Sequence, residues 1–153
     1  MVLTYKFKKE QLQNGSYVMR PRILVELIGS ETSIVVPALI DSGCDITVIP
    51  EGIARGIGLD MKGEKDKLHA FRESNNVRHS SAAITFLGKE HRQSIPLRNI
   101  PSLIVMEGED SEKEEDITLG VEGIFDFFDI SFKKRQNKII LKQSIENPLA
   151  RKS

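Results

Sequence analysis

Apolar residues in this chain alternate far more often than they recur at helical spacing. Leu3, Tyr5 and Phe7 share one face of "VLTYKFKK", and Ile23, Val25 and Leu27 share one face of "RILVELI". That period of two is the mark of a half-buried strand. "SIVVPALI" is rich in β-branched residues and follows the polar "GSET", so 29–32 predicts a hairpin loop and 33–40 a returning strand. Pro37 has no N–H to give, so it must sit at a bulge or an unpaired edge position. Asn14-Gly15 predicts an earlier turn, and "GKE" at 88–90 a later one. Further strands are expected at "KLHAF", "VRHSSAAITF", "RQSIPL", "SLIVM" and "ITLG". The polar "RESNN" suits the tip of the hairpin made by the first two of these. A closing hairpin in "DISFKKRQNKIIL" should turn at about residues 135–137.

Helical spacing occurs twice. "EGIARGIGLDM" predicts a short helix over 51–55, and Val121, Ile124, Phe125 and Phe128 predict a two-turn helix with one apolar face. The charged stretch 62–67 and the acidic "EGEDSEKEED" at 107–116 read as solvated loops. Eight or more short strands with one or two short helices make the chain mainly β, a mostly antiparallel barrel or sandwich. Residues 1–142 read as a single domain, with no repeat and no linker inside it. The polar tail 143–153, which contains Pro148, is expected to be disordered.

Composition narrows the function classes. The 153 residues carry 22 Lys and Arg against 22 Asp and Glu, so no global field draws the chain to nucleic acid or to an acidic membrane. No stretch reaches the roughly 20 apolar residues that span a bilayer, and the first residues lack the apolar core of a signal peptide. A cytoplasmic protein is the expectation. One cysteine excludes an internal disulfide, and with three histidines it makes a poor metal inventory, so no cofactor is expected.

Chemistry concentrates in "PALIDSGCDITVIP", residues 37–50. An apolar approach delivers Asp41-Ser42-Gly43 and a second apolar alternation carries the chain away. A carboxylate at the tip of such a strand-turn-strand is costly to place unless something uses it. The plain alternative for Asp41 is a turn residue that caps its own backbone. For Asp45 it is a surface carboxylate paired with an arginine. Cys44 reads as a small buried space-filler rather than a nucleophile, since His69, His79 and His91 show no partner signature around it.

"DSGCDITVI" aligns without gaps on the retroviral pattern D-T-G-A-D-D-T-V-L, and "TLGVEGIFDFFDISFKKRQNKIIL" looks like an apolar-apolar-Gly element, short helix and terminal hairpin. The chain thus resembles the retropepsin-like aspartic proteases, strongly at both ends of a match running from Arg20 to Leu141. The resemblance implies a closed acid-protease barrel and peptide-bond hydrolysis by paired carboxylates with an acid-leaning optimum. Because Asp-Ser-Gly occurs once, a homodimer joining two copies of Asp41 is the simplest way to form the pair. By the same resemblance, Asp41, Ser42 and Gly43 are catalytic, with Ser42 hydrogen-bonding across the dimer axis. Asp45 and the hairpin residues Phe71, Arg72, Glu73, Ser74, Asn75 and Asn76 contact the polypeptide substrate, the hairpin being a flap. Leu119 and Gly120 pack behind the catalytic turn. Two differences from the retroviral pattern, Val121 in place of arginine and a flap tip without glycine, favour an alternative: the same fold used as a peptide-binding or dimerisation module without turnover.

Overall fold

The computed structural model describes residues 1–70, 73–91, 93–107 and 116–144. The chain opens with β1 (Val2–Tyr5), followed by a hairpin of β2 (Lys8–Gln11) and β3 (Tyr17–Arg20). Gly15 closes that hairpin at a left-handed φ of 85°, the conformation for which Asn-Gly is suited. Pro21 separates β3 from β4 (Arg22–Ile28), which pairs antiparallel with β5 (Ser33–Ile40) across the 29–32 loop. Ile23, Val25 and Leu27 are buried, as their alternation requires.

Pro37 keeps its place in β5 by facing the right way. Ile40 N–H bonds Pro21 O and Asp41 N–H bonds Leu119 O. Even-numbered residues of β5 therefore donate toward β4 and odd-numbered ones away from it. The missing N–H of Pro37 points away from β4, one residue before the described pairing of Ala38 with Ile117 begins.

β6 (Thr47–Pro50) runs directly into α1 (Glu51–Ile57), two residues longer than the sequence predicts. Gly58, at φ 81°, ends the helix by returning its N–H to Ala54 and Arg55 carbonyls. β7 (Lys65–Ala70) and β8 (Glu73–Leu87) form a long hairpin, then β9 (Ser94–Val105), β10 (Ile117–Leu119), β11 (Phe128–Lys133) and β12 (Lys138–Gln143) complete the chain. The larger sheet has the order β4-β5-β10-β6-β9-β8-β7, and β8 also pairs with β4. The six strands from β4 to β8 thus close on themselves around one core, leaving β7 outside the ring. β1, β12 and β11 form a separate three-stranded sheet. Leu3, Ile139 and Leu141 join that sheet to the same core as Ile84, Phe86 and Ile104.

Several expectations change. Residues 62–67 are not all loop, because β7 begins at Lys65, where its pairing with Arg78 starts. Ala70 pairs with Glu73, so Ser74, Asn75 and Asn76 stand on the strand rather than at the tip. Phe71 and Arg72 lie outside the described residues. The strands expected at "RQSIPL" and "SLIVM" merge into β9, Ser94–Val105: Asn99 takes a left-handed φ of 55° and the register slips between Ala82 and Ile84, a bulge that bends β9 without ending it. The two-turn helix over 121–128 does not form. Gly123 at φ 77° breaks it into successive turns, and Gly123 N–H bonds the Asp126 carboxylate. Ile124 and Phe128 still reach the core, so the helical spacing reported the burial and not the backbone. Gln143 belongs to β12, paired with Phe128, so the ordered sheet runs one residue into the expected tail. Most of the acidic run lies outside the described residues, but its ends are tied. Glu107 N–H bonds Glu51, and Asp116 meets Arg22, which also pairs with Glu10.

Candidate active site

Asp41 follows the last residue of β5, and the chain reverses at once. Its carbonyl accepts the Cys44 N–H at 3.1 Å, and its Oδ1 accepts the Gly43 N–H at 2.9 Å. A Cβ on Gly43 would stand 3.2 Å from that same Oδ1, so a bare glycine lets the carboxylate fold back onto the turn. The self-capping alternative is therefore realised at one oxygen. Oδ2 accepts no hydrogen bond from the described residues. Asp41 is half-buried, while Ser42 and Gly43 are exposed. The turn presents one committed and one uncommitted carboxylate oxygen at the surface.

Three consecutive N–H groups after β10 hold the far side of the turn. Gly120 N–H bonds Thr47 Oγ1 at 3.1 Å, Val121 N–H bonds Cys44 O at 2.9 Å, and Glu122 N–H bonds Asp45 O at 2.9 Å. With Asp41 N–H on Leu119 O, the segments 41–47 and 119–122 are laced together along their length. Leu119 is fully buried, and Gly120 lies so close to Ile46 that a Cβ would meet its backbone at 2.5 Å. Leu119 and Gly120 thus lie directly against residues 41 and 46–47.

The β7–β8 hairpin reaches the turn through a small apolar cluster. Val48, Val77, Leu103 and Val105 are its buried members, and Cys44, Ile46 and Leu68 pack against it. Strand alternation puts Asn75 on the face of Val77, and Ser74 and Asn76 on the opposite face. The hairpin base is thus joined to the turn that carries Asp41.

Asp45 is exposed and forms no ion pair among the described residues, so the arginine-paired alternative is not met. The Cys44 thiol donates to Ile46 O at 3.0 Å. Burial first, and then the charges of Asp41 and Asp45, push its pKa up, the opposite of what a nucleophilic thiolate needs. His79 is engaged with Asp66 at 3.0 Å across the hairpin. No cluster of metal-ligating side chains occurs among the described residues, and no helix there is long and apolar enough to cross a membrane. A cavity of about 830 Å³ lies elsewhere, between Tyr5, Leu24, Leu87 and Asn137, and contains none of the predicted site residues.

Thr47, Leu68 and Val77 were not singled out in the sequence. Thr47 had a signal, since it matches the threonine of the retroviral pattern. Leu68 and Val77 had none, because their contact with Cys44 and Ile46 exists only once the hairpin folds over.

No family model matches the sequence, and no curated protein matches it. Among solved structures, the chain is similar to a retropepsin-like aspartic protease from Rickettsia conorii, at 13% identity over 92% of this chain and 91% of that one, with a TM-score of 0.49. It is also similar to the EIAV protease complexed with the inhibitor HBY-793, at 20% identity over 66% and 81% of the two chains, with a TM-score of 0.36. Neither similarity assigns a residue of this chain a role.

Proposed function

We propose that the chain is an aspartic endopeptidase that works as a homodimer, with Asp41 of each copy forming the catalytic pair. The carrying observation is the Asp41 turn itself: Oδ1 is held by Gly43 N–H, Oδ2 is uncommitted, and residues 119–122 brace the turn from behind. Hydrolysis without a metal or a covalent nucleophile needs a base to take a proton from water and an acid to protonate the carbonyl oxygen or leaving amine. One carboxylate does not serve both ends of that step. Two in contact do, because like charges resist joint ionisation and share a proton between them. The Asp41 turn is exposed enough for a second copy to approach, and Ser42, exposed beside it, offers a hydroxyl across such an axis. Polypeptide substrate lies between the turn and the hairpin, with Asp45 and Asn75 on its two sides.

The test is cleavage of a denatured polypeptide by the purified chain beside Asp41→Asn and Asp41→Ala. The native chain cuts and both variants are inert. Equal activity in all three would exclude Asp41 from the chemistry.

One observation favours a second reading, a dimeric peptide-binding module without turnover. Val121 stands where the retroviral pattern has arginine, and Asp45 is left without a cationic partner among the described residues. A statine-type transition-state mimic distinguishes the two. Thermal stabilisation that Asp41→Asn abolishes, with no cleavage of any peptide, supports the module.

A further inference from the structure

β7 is the end strand of its sheet, and among the described residues only β8 pairs with it. His79 N–H bonds Glu64 O, so residues 64, 66 and 68 direct their backbone groups toward β8. The backbone groups of Lys65, Lys67 and His69 therefore point outward along a free edge. One of them is already used: Asp66 Oδ1 accepts the Lys67 N–H at 2.7 Å. The N–H groups of Lys65 and His69 and the carbonyls of Lys65, Lys67 and His69 have no partner among the described residues.

The same three residues share one face of the hairpin. Lys65 pairs with Arg78, Lys67 with Asn76 and His69 with Ser74, and paired residues of an antiparallel ladder point the same way. Lys65, Lys67 and His69 are exposed. The opposite face carries Leu68 and Val77, which pack toward Cys44 and Ile46. The basic row is thus turned away from the Asp41 turn, and no acidic residue shares its face on either strand among the described residues. The row is basic on its face, and the one carboxylate at this edge, Asp66, is engaged by the Lys67 N–H and by His79.

We propose that the free edge of β7 binds an extended acidic polypeptide segment as an added strand, with carboxylates at alternate residues against Lys65 and Lys67. Side chains on one face of a strand recur about every 7 Å, so alternate carboxylates match the spacing of the two lysines. The outward N–H and C=O groups supply the main-chain bonds by which an added strand gains affinity. Edge lysines commonly keep a sheet from pairing with other strands. Here they exclude neutral and basic strands while attracting an acidic one, which makes the edge selective. A nucleic acid offers negative charge but cannot complete a β-ladder, and no aromatic side chain on the described part of this face provides a base-stacking platform. This docking site is independent of the Asp41 reading.

Fluorescence anisotropy with a labelled acetyl-(Glu-Thr)4 peptide tests it. The full chain carrying Asp41→Asn is used beside the native chain, so that cleavage cannot pass for failure to bind. The peptide binds at low salt and its (Gln-Thr)4 counterpart does not. Lys65→Glu and Lys67→Glu each weaken binding by about tenfold, as does raising the salt from 20 to 300 mM, roughly the loss expected for exposed charge pairs. A peptide N-methylated at alternate amides binds the unmutated edge at least about tenfold more weakly, which tests strand addition without altering the protein. The proposal is overturned if the acidic peptide does not bind, if N-methylation leaves binding unchanged, or if a decauridylate binds as tightly as the peptide.

Discussion

The Cβ that Gly120 lacks would stand 2.5 Å from the carbonyl carbon of Ile46. Two backbones approach there more closely than any side chain allows, and the approach brings Gly120 N–H onto Thr47 Oγ1 and Val121 N–H onto Cys44 O. The position of the Asp41 turn depends on this contact, because Asp41 itself is tied to the preceding residue, Leu119.

Gly120→Ala must push the Ile46 backbone away, since backbone on both sides leaves no flexible side chain to yield. We expect a loss of about 2 kcal/mol or more, the cost of overpacking at a site that cannot relax. Urea denaturation measures it. Cleavage activity should fall further than stability does, because the displaced segment carries Asp41, the carboxylate proposed to act in hydrolysis. A stable, fully active Gly120→Ala would show that the close approach is incidental to the turn.

Thr47 is fully buried and its hydroxyl accepts the Gly120 N–H. Thr47→Val keeps the shape and removes the acceptor, leaving a buried donor unpartnered at a cost of about 1–3 kcal/mol. Thr47→Ser keeps the acceptor and loses only a methyl group, so it should be the milder change. Chemical denaturation of the two variants side by side checks the order. Valine at least as stable as serine would show that packing, and not the hydrogen bond, is what Thr47 provides.

Cys44 sits between the two carboxylates Asp41 and Asp45 in sequence, and burial together with their charges raises its pKa. The thiol should therefore react with iodoacetamide at pH 7 much more slowly than free cysteine does, and at the ordinary rate once the chain is unfolded in urea. Mass spectrometry reads the difference. Cys44→Ala should retain peptide cleavage. Its complete loss in a folded variant would bring back a cysteine mechanism.

How far the sequence was legible follows from what each element had to satisfy. Strands buried on one face, such as β4 with Ile23, Val25 and Leu27, declared themselves because a single alternation served both backbone and core. The Asp41 turn was legible because Asp-Ser-Gly between two apolar runs marks a chain reversal. The segment 121–128 misled because a run of tight turns can bury Ile124 and Phe128 at the same spacing as a helix, and the sign of φ at Gly123 leaves no trace in hydropathy. β9 was read as two strands because a bulge at Asn99 looks like a break when only local residues are weighed. The hairpin tip was misplaced because polar Ser74, Asn75 and Asn76 serve equally on an exposed strand. The apolar cluster linking Leu68 and Val77 to Cys44 and Ile46 joins residues far apart in the chain, beyond any local pattern.

The β7–β8 hairpin carries its own pH dependence. The Asp66 carboxyl is held below its ordinary value of 3.8, first by the hydrogen bond with His79 and then by the Lys67 N–H. Glu51, which holds the Glu107 N–H and pairs with Arg55, is likewise held below 4.5. A carboxylate whose pKa is depressed by folding stabilises the fold above its unfolded pKa, and that contribution disappears as the pH falls through its folded value. Both ties should therefore be intact above the ordinary carboxyl pKa and be lost only as the pH falls through each group's depressed folded pKa. Carboxyl-carbon NMR titration should place the Asp66 midpoint below 3.8. His79→Ala should raise that midpoint toward 3.8 and leave Glu51 where it is. An unmoved Asp66 midpoint in His79→Ala would assign the effect to the Lys67 N–H alone and remove the imidazole from the tie across the hairpin.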